Sequence, residues 1–302
     1  MAEFAGYLAA KGFLPELRRE LGTRVQEIYG DLVLAEGSAQ PAAWAANVWY
    51  APVFLSIASI GDAVKQLRAI QRNWALYSFA HHRRAALIAE QLPKVSAKPL
   101  AFGAAAPAAP LGSWTLVAPD RVLASPSCSS PFPNGEAHFV EDRTAPSRAY
   151  LKLWELFTLI GERPRPGELC LDLGSSPGGW TWVLQKLGAR VFSVDKAALD
   201  PRVAKLPGVT YQRQSAFALD PASIGPVDWL FSDIVCYPQR LFSLVQKWLE
   251  AGRARRFVCS VKFQGATDFD VMQRFAAIPD SRLMHLYHNK HELTWIRLEA
   301  PR

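Results

Sequence analysis

Residues 170–180 read Cys170-Leu171-Asp172-Leu173-Gly174-Ser175-Ser176-Pro177-Gly178-Gly179-Trp180, and this stretch decides the fold. The apolar run Leu169–Leu173 has the length and composition of a buried strand. It stops at a glycine-rich turn, and helical spacing resumes over Trp180–Leu187 until Gly188 ends it. Strand, glycine turn and helix open a nucleotide-binding α/β unit, because glycine admits backbone conformations and close approaches that a Cβ forbids. A second strand, Arg190–Val194, leads into Asp195. An acidic side chain there can accept hydrogen bonds from ribose hydroxyls.

The spacing of the glycines bears on which nucleotide. A dinucleotide fold calls for G-x-G-x-x-G, whereas this turn reads G-x-x-P-G-G. The pattern suits a ligand with an adenosine and an amino-acid tail, such as S-adenosylmethionine. The turn from Gly174 through Ser176, Pro177, Gly178 and Gly179 to Trp180 is expected to hold it, with a side chain at Gly178 colliding with the ligand.

Composition fits two domains of a soluble intracellular enzyme, expected in the cytoplasm. The chain has 302 residues and an apolar content of 50%, which argues against disorder. Cys128, Cys170, Cys236 and Cys259 show no C-x-x-C spacing, so neither a disulfide framework nor a zinc site is expected. The start, Met-Ala-Glu-Phe, lacks the basic and apolar regions of a signal peptide. Residues 37–61 carry no charge, but Pro41, Asn47, Pro52, Ser56 and Ser59 interrupt them. No apolar run reaches the roughly 18 residues of a membrane span, so packed strand and helix are expected.

The formal net charge of +7 suggests a polyanionic partner. Residues 146–302 carry +6 of it and residues 1–145 only +1. Within the first part, residues 63–98 hold Lys65, Arg68, Arg72, Arg83, Arg84, Lys94 and Lys98 against Glu90 alone. Trp74, Tyr77, Phe79, His81 and His82 lie among them. Such a segment either holds phosphates and stacks bases or is an amphipathic helix with solvated charges.

Breakers organise the rest. Residues 4–34 suggest a strand, a helix over Pro15–Leu21 and a strand over Val25–Leu34; residues 63–92 read as mostly helical. Residues 103–112, rich in Ala and Pro, read as a linker, and Trp114–Ala118 and Arg121–Ala124 as strands about a Pro119-Asp120 turn. A boundary near 143–147 divides an amino-terminal α+β domain, 1–145, from an α/β domain, 146–302. The second opens with a helix over Ser147–Ile160, N-capped by Ser147. Strands follow at 169–173, 190–194, 209–213, 228–232, 257–261, 283–288 and 292–298, the last two forming a hairpin about Asn289-Lys290-His291. Seven strands closing in a hairpin describe the Rossmann-like sheet of a class I methyltransferase.

Four residues fall at one edge of that sheet. Asp233 ends the fourth strand and Lys262 the fifth, and in a parallel sheet both ends lie on the ligand side. Glu292 begins the last strand, which runs the other way and so starts on that side. Lys152 comes from the leading helix. Here the residues resemble a family. Ser147–Leu153, Asp172–Trp180, Ser232-Asp233, Val261-Lys262-Phe263 and His291-Glu292 are similar to the FtsJ-type RNA ribose 2′-O-methyltransferases. Within that group the resemblance is to the RlmM type, which acts on a cytidine ribose of large-subunit ribosomal RNA. Ala145-Pro146-Ser147-Arg148, Leu286-Tyr287-His288 and a long amino-terminal region carry it. It extends over about residues 113–298.

The resemblance implies a catalytic tetrad of Lys152, Asp233, Lys262 and Glu292. It implies an S-adenosylmethionine site lined by Ser147, Ser176, Pro177, Gly178, Gly179, Asp195 and Asp233. Ser215 stands where the family usually has an acidic residue near the adenine. The amino-terminal domain is expected to hold a ferredoxin-like part and a shortened or altered THUMP-like part that binds RNA. Lys262 is the expected proton acceptor, with burial and Lys152 disfavouring its charged form and Asp233 and Glu292 opposing that shift. No metal is expected. Three other readings stay open: action on another RNA, methylation of a small molecule or protein, and a non-catalytic RNA-binding module.

Overall fold

A computed structural model describes residues 3–96 and 98–298. The chain divides into two compact units, Met1–Val140 and Glu141–Arg302.

The first unit begins with β1 (Phe4–Ala9), α1 (Leu14–Leu21), β2 (Val25–Tyr29), β3 (Leu32–Glu36) and β4 (Ala45–Trp49). These strands form an antiparallel sheet in the order β2-β3-β1-β4. The arrangement is ferredoxin-like, with residues 37–44 standing where a second helix would link β3 to β4. The strand expected over Val25–Leu34 is two strands, because Gly30 turns the chain with φ of +62°. Next come β5 (Val53–Ser56), α2 (Ile60–Ile70), β6 (Trp74–Leu76), α3 (His82–Ala89), β7 (Gly112–Ala118) and β8 (Arg121–Ser125). Their sheet has the order β5-β8-β7-β6. Alternation along β7 and β8 divides the side chains between its two faces. Trp114, Leu116, Val122 and Ala124 pack with Leu67 and Ile88 of the two helices. Leu123 points the other way, to Leu8, Leu32 and Trp49 of the first sheet.

The segment expected to be mostly helical over 63–92 is helix, strand, helix. Gln71 leaves the helix in extended conformation, and Trp74 then pairs in parallel with Gly112. The Trp74 indole N–H donates to the Leu67 carbonyl at 3.0 Å, so this aromatic belongs to the core. Tyr77 stacks on Phe79, and its hydroxyl accepts the Asp31 N–H at 2.7 Å. Lys65, Arg68, Arg72, Arg83, Lys94 and Lys98 are exposed. The tryptophan and tyrosine thus serve the fold while six of the seven charges face water. The uncharged stretch 37–61 supplies β4 and β5. Among the described residues no helix is long and apolar enough to cross a membrane.

The second unit consists of α4 (Tyr150–Ile160), β9 (Leu169–Leu173), α5 (Gly179–Lys186), β10 (Arg190–Asp195), α6 (Pro201–Ala204), β11 (Val209–Arg213), α7 (Pro221–Ile224), β12 (Val227–Ser232), α8 (Pro238–Ala251), β13 (Ala254–Lys262), α9 (Phe269–Ala276), β14 (Ser281–Met284) and β15 (Glu292–Arg297). Its seven strands lie in the order β11-β10-β9-β12-β13-β15-β14. β15 alone runs against its neighbours. This is the Rossmann-like sheet with a closing antiparallel strand. The buried runs of β9, β12 and β13 are near-continuous because helices cover both faces of such a sheet. The order reverses between β9 and β12, where ligands of open α/β sheets bind.

Two local expectations are corrected. The last two strands are antiparallel, but β14 ends at Met284 and residues 285–291 form a longer connection. Ser147 does not cap the leading helix: α4 starts at Tyr150, with Ala149 before it and no side-chain cap.

Candidate active site

Beside the reversal point a cavity of about 400 Å³ is lined by Gly174, Ser176, Asp195, Ser215 and Asp233, together with Ile234, Val235, Phe217 and Arg240. β9 ends just before Gly174, β10 at Asp195 and β12 just before Asp233, so strand ends build its wall. Gly174 has φ of +75°, and a Cβ there would lie 2.4 Å from Ile234 Cγ1. The Asp195 carboxylate accepts the Ser176 N–H at 3.0 Å and the Ala197 N–H at 2.9 Å. Each oxygen keeps a further lone pair for a hydroxyl. Arg240 stacks on Phe217, its Cζ 3.8 Å from the ring centroid.

Five of the expected cofactor residues thus line one cavity, and five do not. Pro177, Gly178, Gly179 and Trp180 complete the turn away from the cavity wall, and Ser147 packs against it. Trp180 is buried and its indole donates to the Ala149 carbonyl at 3.0 Å, fastening α5 to the start of α4. Gly179 packs against Ser147: a Cβ at 179 would lie 2.5 Å from the Ser147 hydroxyl oxygen. That oxygen is buried and has no hydrogen-bond partner among the described residues. At Gly178 φ is +114°, and a Cβ would meet Val203 Cγ1 at 2.9 Å. Gly178→Val is therefore expected to destabilise the unit through a strained backbone and overpacking, by about 2–4 kcal/mol. A Gly178→Val protein melting at the wild-type temperature would refute this.

The four expected catalytic residues do come together. Lys152 Nζ lies 3.1 Å from Asp233 Oδ1 and 2.6 Å from Glu292 Oε1. Lys262 Nζ lies 3.0 Å from the same Asp233 oxygen and donates to the Asp233 carbonyl at 2.6 Å. Parallel pairing of β12 with β13 brings Asp233 and Lys262 to the same edge of the sheet, and antiparallel pairing puts Glu292 directly opposite Lys262. Side-chain exposure is 11% for Lys152, 16% for Asp233, 18% for Lys262 and 6% for Glu292. Burial works against the Lys152 ammonium, but Asp233 and Glu292 outweigh it and hold its pKa above the usual lysine value. Burial likewise opposes the Asp233 carboxylate, and the two lysines overcome it, holding the group below the usual range.

Two carboxylates outside the expected set are buried nearby. Asp172, in the glycine motif, accepts the Thr181 hydroxyl at 2.6 Å, and burial pushes it up to about 7. Glu155 on α4 accepts backbone N–H groups of Tyr287 and His288. The sequence offers little sign of that role, since Glu155 stands within an apolar helix. Among the described residues no group of three His, Cys, Asp or Glu could hold a metal ion.

Fold and site define a Rossmann-like methyltransferase unit, a class that takes S-adenosylmethionine. The residues fit that cofactor. Asp195 offers acceptors to ribose hydroxyls, Ser215 a hydroxyl beside Phe217, and Ser147 an unused hydroxyl at the glycine turn. Residues 145–272, within the second unit, match the family model of the FtsJ-like methyltransferases. The chain is similar to ribosomal RNA large subunit methyltransferase M of Halorhodospira halophila, 38% identical over 54% of this chain and 50% of that one. The protein of that name from Xylella fastidiosa is 39% identical over 50% and 46%. The chain spans about half the length of these curated relatives. Among solved structures, TrmN from Thermus thermophilus aligns over 97% of this chain and 98% of its own. Its identity is 14% and its TM-score 0.37, too distant to inform the site.

Proposed function

We propose that the protein transfers a methyl group from S-adenosylmethionine to a ribose 2′-hydroxyl of RNA, on a cytidine of large-subunit ribosomal RNA. The observation that carries this reading is the tetrad itself, two lysines bridged by one aspartate oxygen with Glu292 closing the array. Bound in the cavity, the cofactor supplies an electrophilic methyl on a positively charged sulfur. What the protein must add is alignment of the hydroxyl and a place for its proton. Lys262 is the acceptor. An uncharged amine has two N–H groups, and Lys262 Nζ has two acceptors in Asp233 Oδ1 and the Asp233 carbonyl. Filling both leaves the lone pair for the substrate. Lys152, held charged by Asp233 and Glu292, orients that pair and offsets the charge of the forming oxyanion.

Ser147, Gly174, Ser176, Asp195 and Ser215 serve the cofactor, while Pro177, Gly178, Gly179 and Trp180 shape the turn that presents them. RNA is the partner, and the exposed basic side chains of residues 63–98 contribute phosphate attraction. The similarity to the two large subunit methyltransferase M proteins supports ribosomal RNA. The reading places the protein in the cytoplasm, with its substrate.

The test is direct. Large-subunit ribosomal RNA from cells lacking the protein is incubated with it and with tritiated S-adenosylmethionine. One labelled cytidine is expected, with the backbone beyond it resistant to alkali because the 2′-oxygen is blocked. Label on a base, or none on RNA, would overturn the proposal.

A further inference from the structure

Glu155 lies three residues beyond Lys152 on α4, and residues at that spacing share a helix face. It is 1% exposed. One carboxylate oxygen accepts the Tyr287 N–H at 2.6 Å and the other the His288 N–H at 3.0 Å. No cation pairs with it among the described residues. Burying a carboxylate this way is costly, and burial pushes Glu155 up to about 8 despite the two N–H donors. A neutral amide could satisfy one of those N–H groups at far lower cost, but it has only one oxygen. Two acceptors on one planar group fix two consecutive backbone N–H groups at once.

The loop so held runs directly into the tetrad. Tyr287 and His288 precede Glu292 in the connection from β14 to β15. Asn289 continues the fastening, its amide N–H₂ donating to the Glu292 carbonyl at 3.3 Å and to Thr294 Oγ1 at 3.2 Å. Glu292 then returns to α4 through Lys152 at 2.6 Å. One helix face therefore grips the loop at Glu155 and its end at Lys152, a closed ring of contacts. Tyr287 keeps an exposed side chain on that loop.

We infer that Glu155 is a positioning residue for methyl transfer, fixing the 287–288 backbone so that Glu292, and through it Lys152, stand in register for the acceptor ribose. The inference rests on the RNA methyltransferase reading above. Glu155→Gln keeps the volume but replaces one of the two acceptor oxygens with an N–H₂ donor, so the fold should be kept while one of the two backbone fastenings is lost. Methyl transfer should slow, kcat falling by about 10- to 100-fold, the scale set by a misplacement of about 1 Å in a reacting array. KM for RNA and affinity for S-adenosylmethionine should not change, since Glu155 touches neither. Amide hydrogen exchange at Tyr287 and His288 should accelerate while the rest of β15 stays protected. A second variant, Glu155→Met, fills the site without any acceptor and should lose kcat at least as far. Wild-type kcat in either folded variant overturns the inference and leaves the methyltransferase reading intact. A wild-type protein that methylates no RNA overturns both.

Discussion

Lys262→Ala should bind S-adenosylmethionine as the wild type does yet transfer its methyl group about 10²–10⁴-fold more slowly, the usual contribution of a positioned base. Cofactor affinity is spared because Lys262 does not line the cavity, whereas Asp233, which does, keeps its contact with Lys152. Lys262→Arg is the sharper variant. A guanidinium keeps the positive charge and can still reach Asp233, but it does not lose its proton at any accessible pH. If Lys262 only places charge, the arginine protein should work; if it takes the proton, it should fail as badly as alanine. Single-turnover methylation, with cofactor binding measured separately by calorimetry, separates the two. Near wild-type turnover in Lys262→Arg would move the proton to another group.

Three members of the tetrad, Asp233, Lys262 and Glu292, are legible in the sequence for a physical reason, while Lys152 comes from the family resemblance. Residues at the ends of parallel strands share one edge of the sheet whatever their separation along the chain, so Asp233 and Lys262 could be placed together from two apolar runs. Glu292 followed once its strand was read as antiparallel, and its pairing opposite Lys262 agrees with that. Less legible were features set by single contacts across long sequence distances. Apolar spacing marks Glu155 only as an interruption in a buried helix; its partners are backbone N–H groups more than 130 residues away. That same contact holds residues 285–291 out of the ladder, which is why the closing hairpin is looser than its sequence suggests. Trp74 shows the converse case. Its aromatic neighbours and basic surroundings suited a base platform, yet three residues of parallel pairing with β7 draw it into the core. Gly178 is required by backbone conformation and by Val203, demands that no spacing rule distinguishes from the close approach of a ligand.

Removing Asp233 should cost more stability than removing any other member of the tetrad. Both lysines meet the same Asp233 oxygen, at 3.1 and 3.0 Å. In Asp233→Ala, Lys152 retains Glu292, but the two amines face each other without the carboxylate between them. Stripping one partner from a largely buried ion pair costs about 3–5 kcal/mol, because the charge left behind has lost its compensation. The lower end applies here, since Lys262 keeps some contact with solvent. For a unit of this size about 3 kcal/mol corresponds to roughly 6–12 °C in Tm. The sign with pH follows from the lowered Asp233 pKa. Its stabilisation is fully present above the unfolded value of 3.8 and is lost as pH falls through the still lower folded value. The gap between wild type and Asp233→Ala should therefore be the same at pH 7 and pH 5 and close only in stronger acid. Adding Lys262→Met to Asp233→Ala removes the amine that has lost its carboxylate partner and should recover part of the lost stability, a coupling that a double-mutant cycle reads directly. Additive losses in that cycle, or an Asp233→Ala protein as stable as wild type at pH 7, would mean that the two lysines do not depend on Asp233 for their burial.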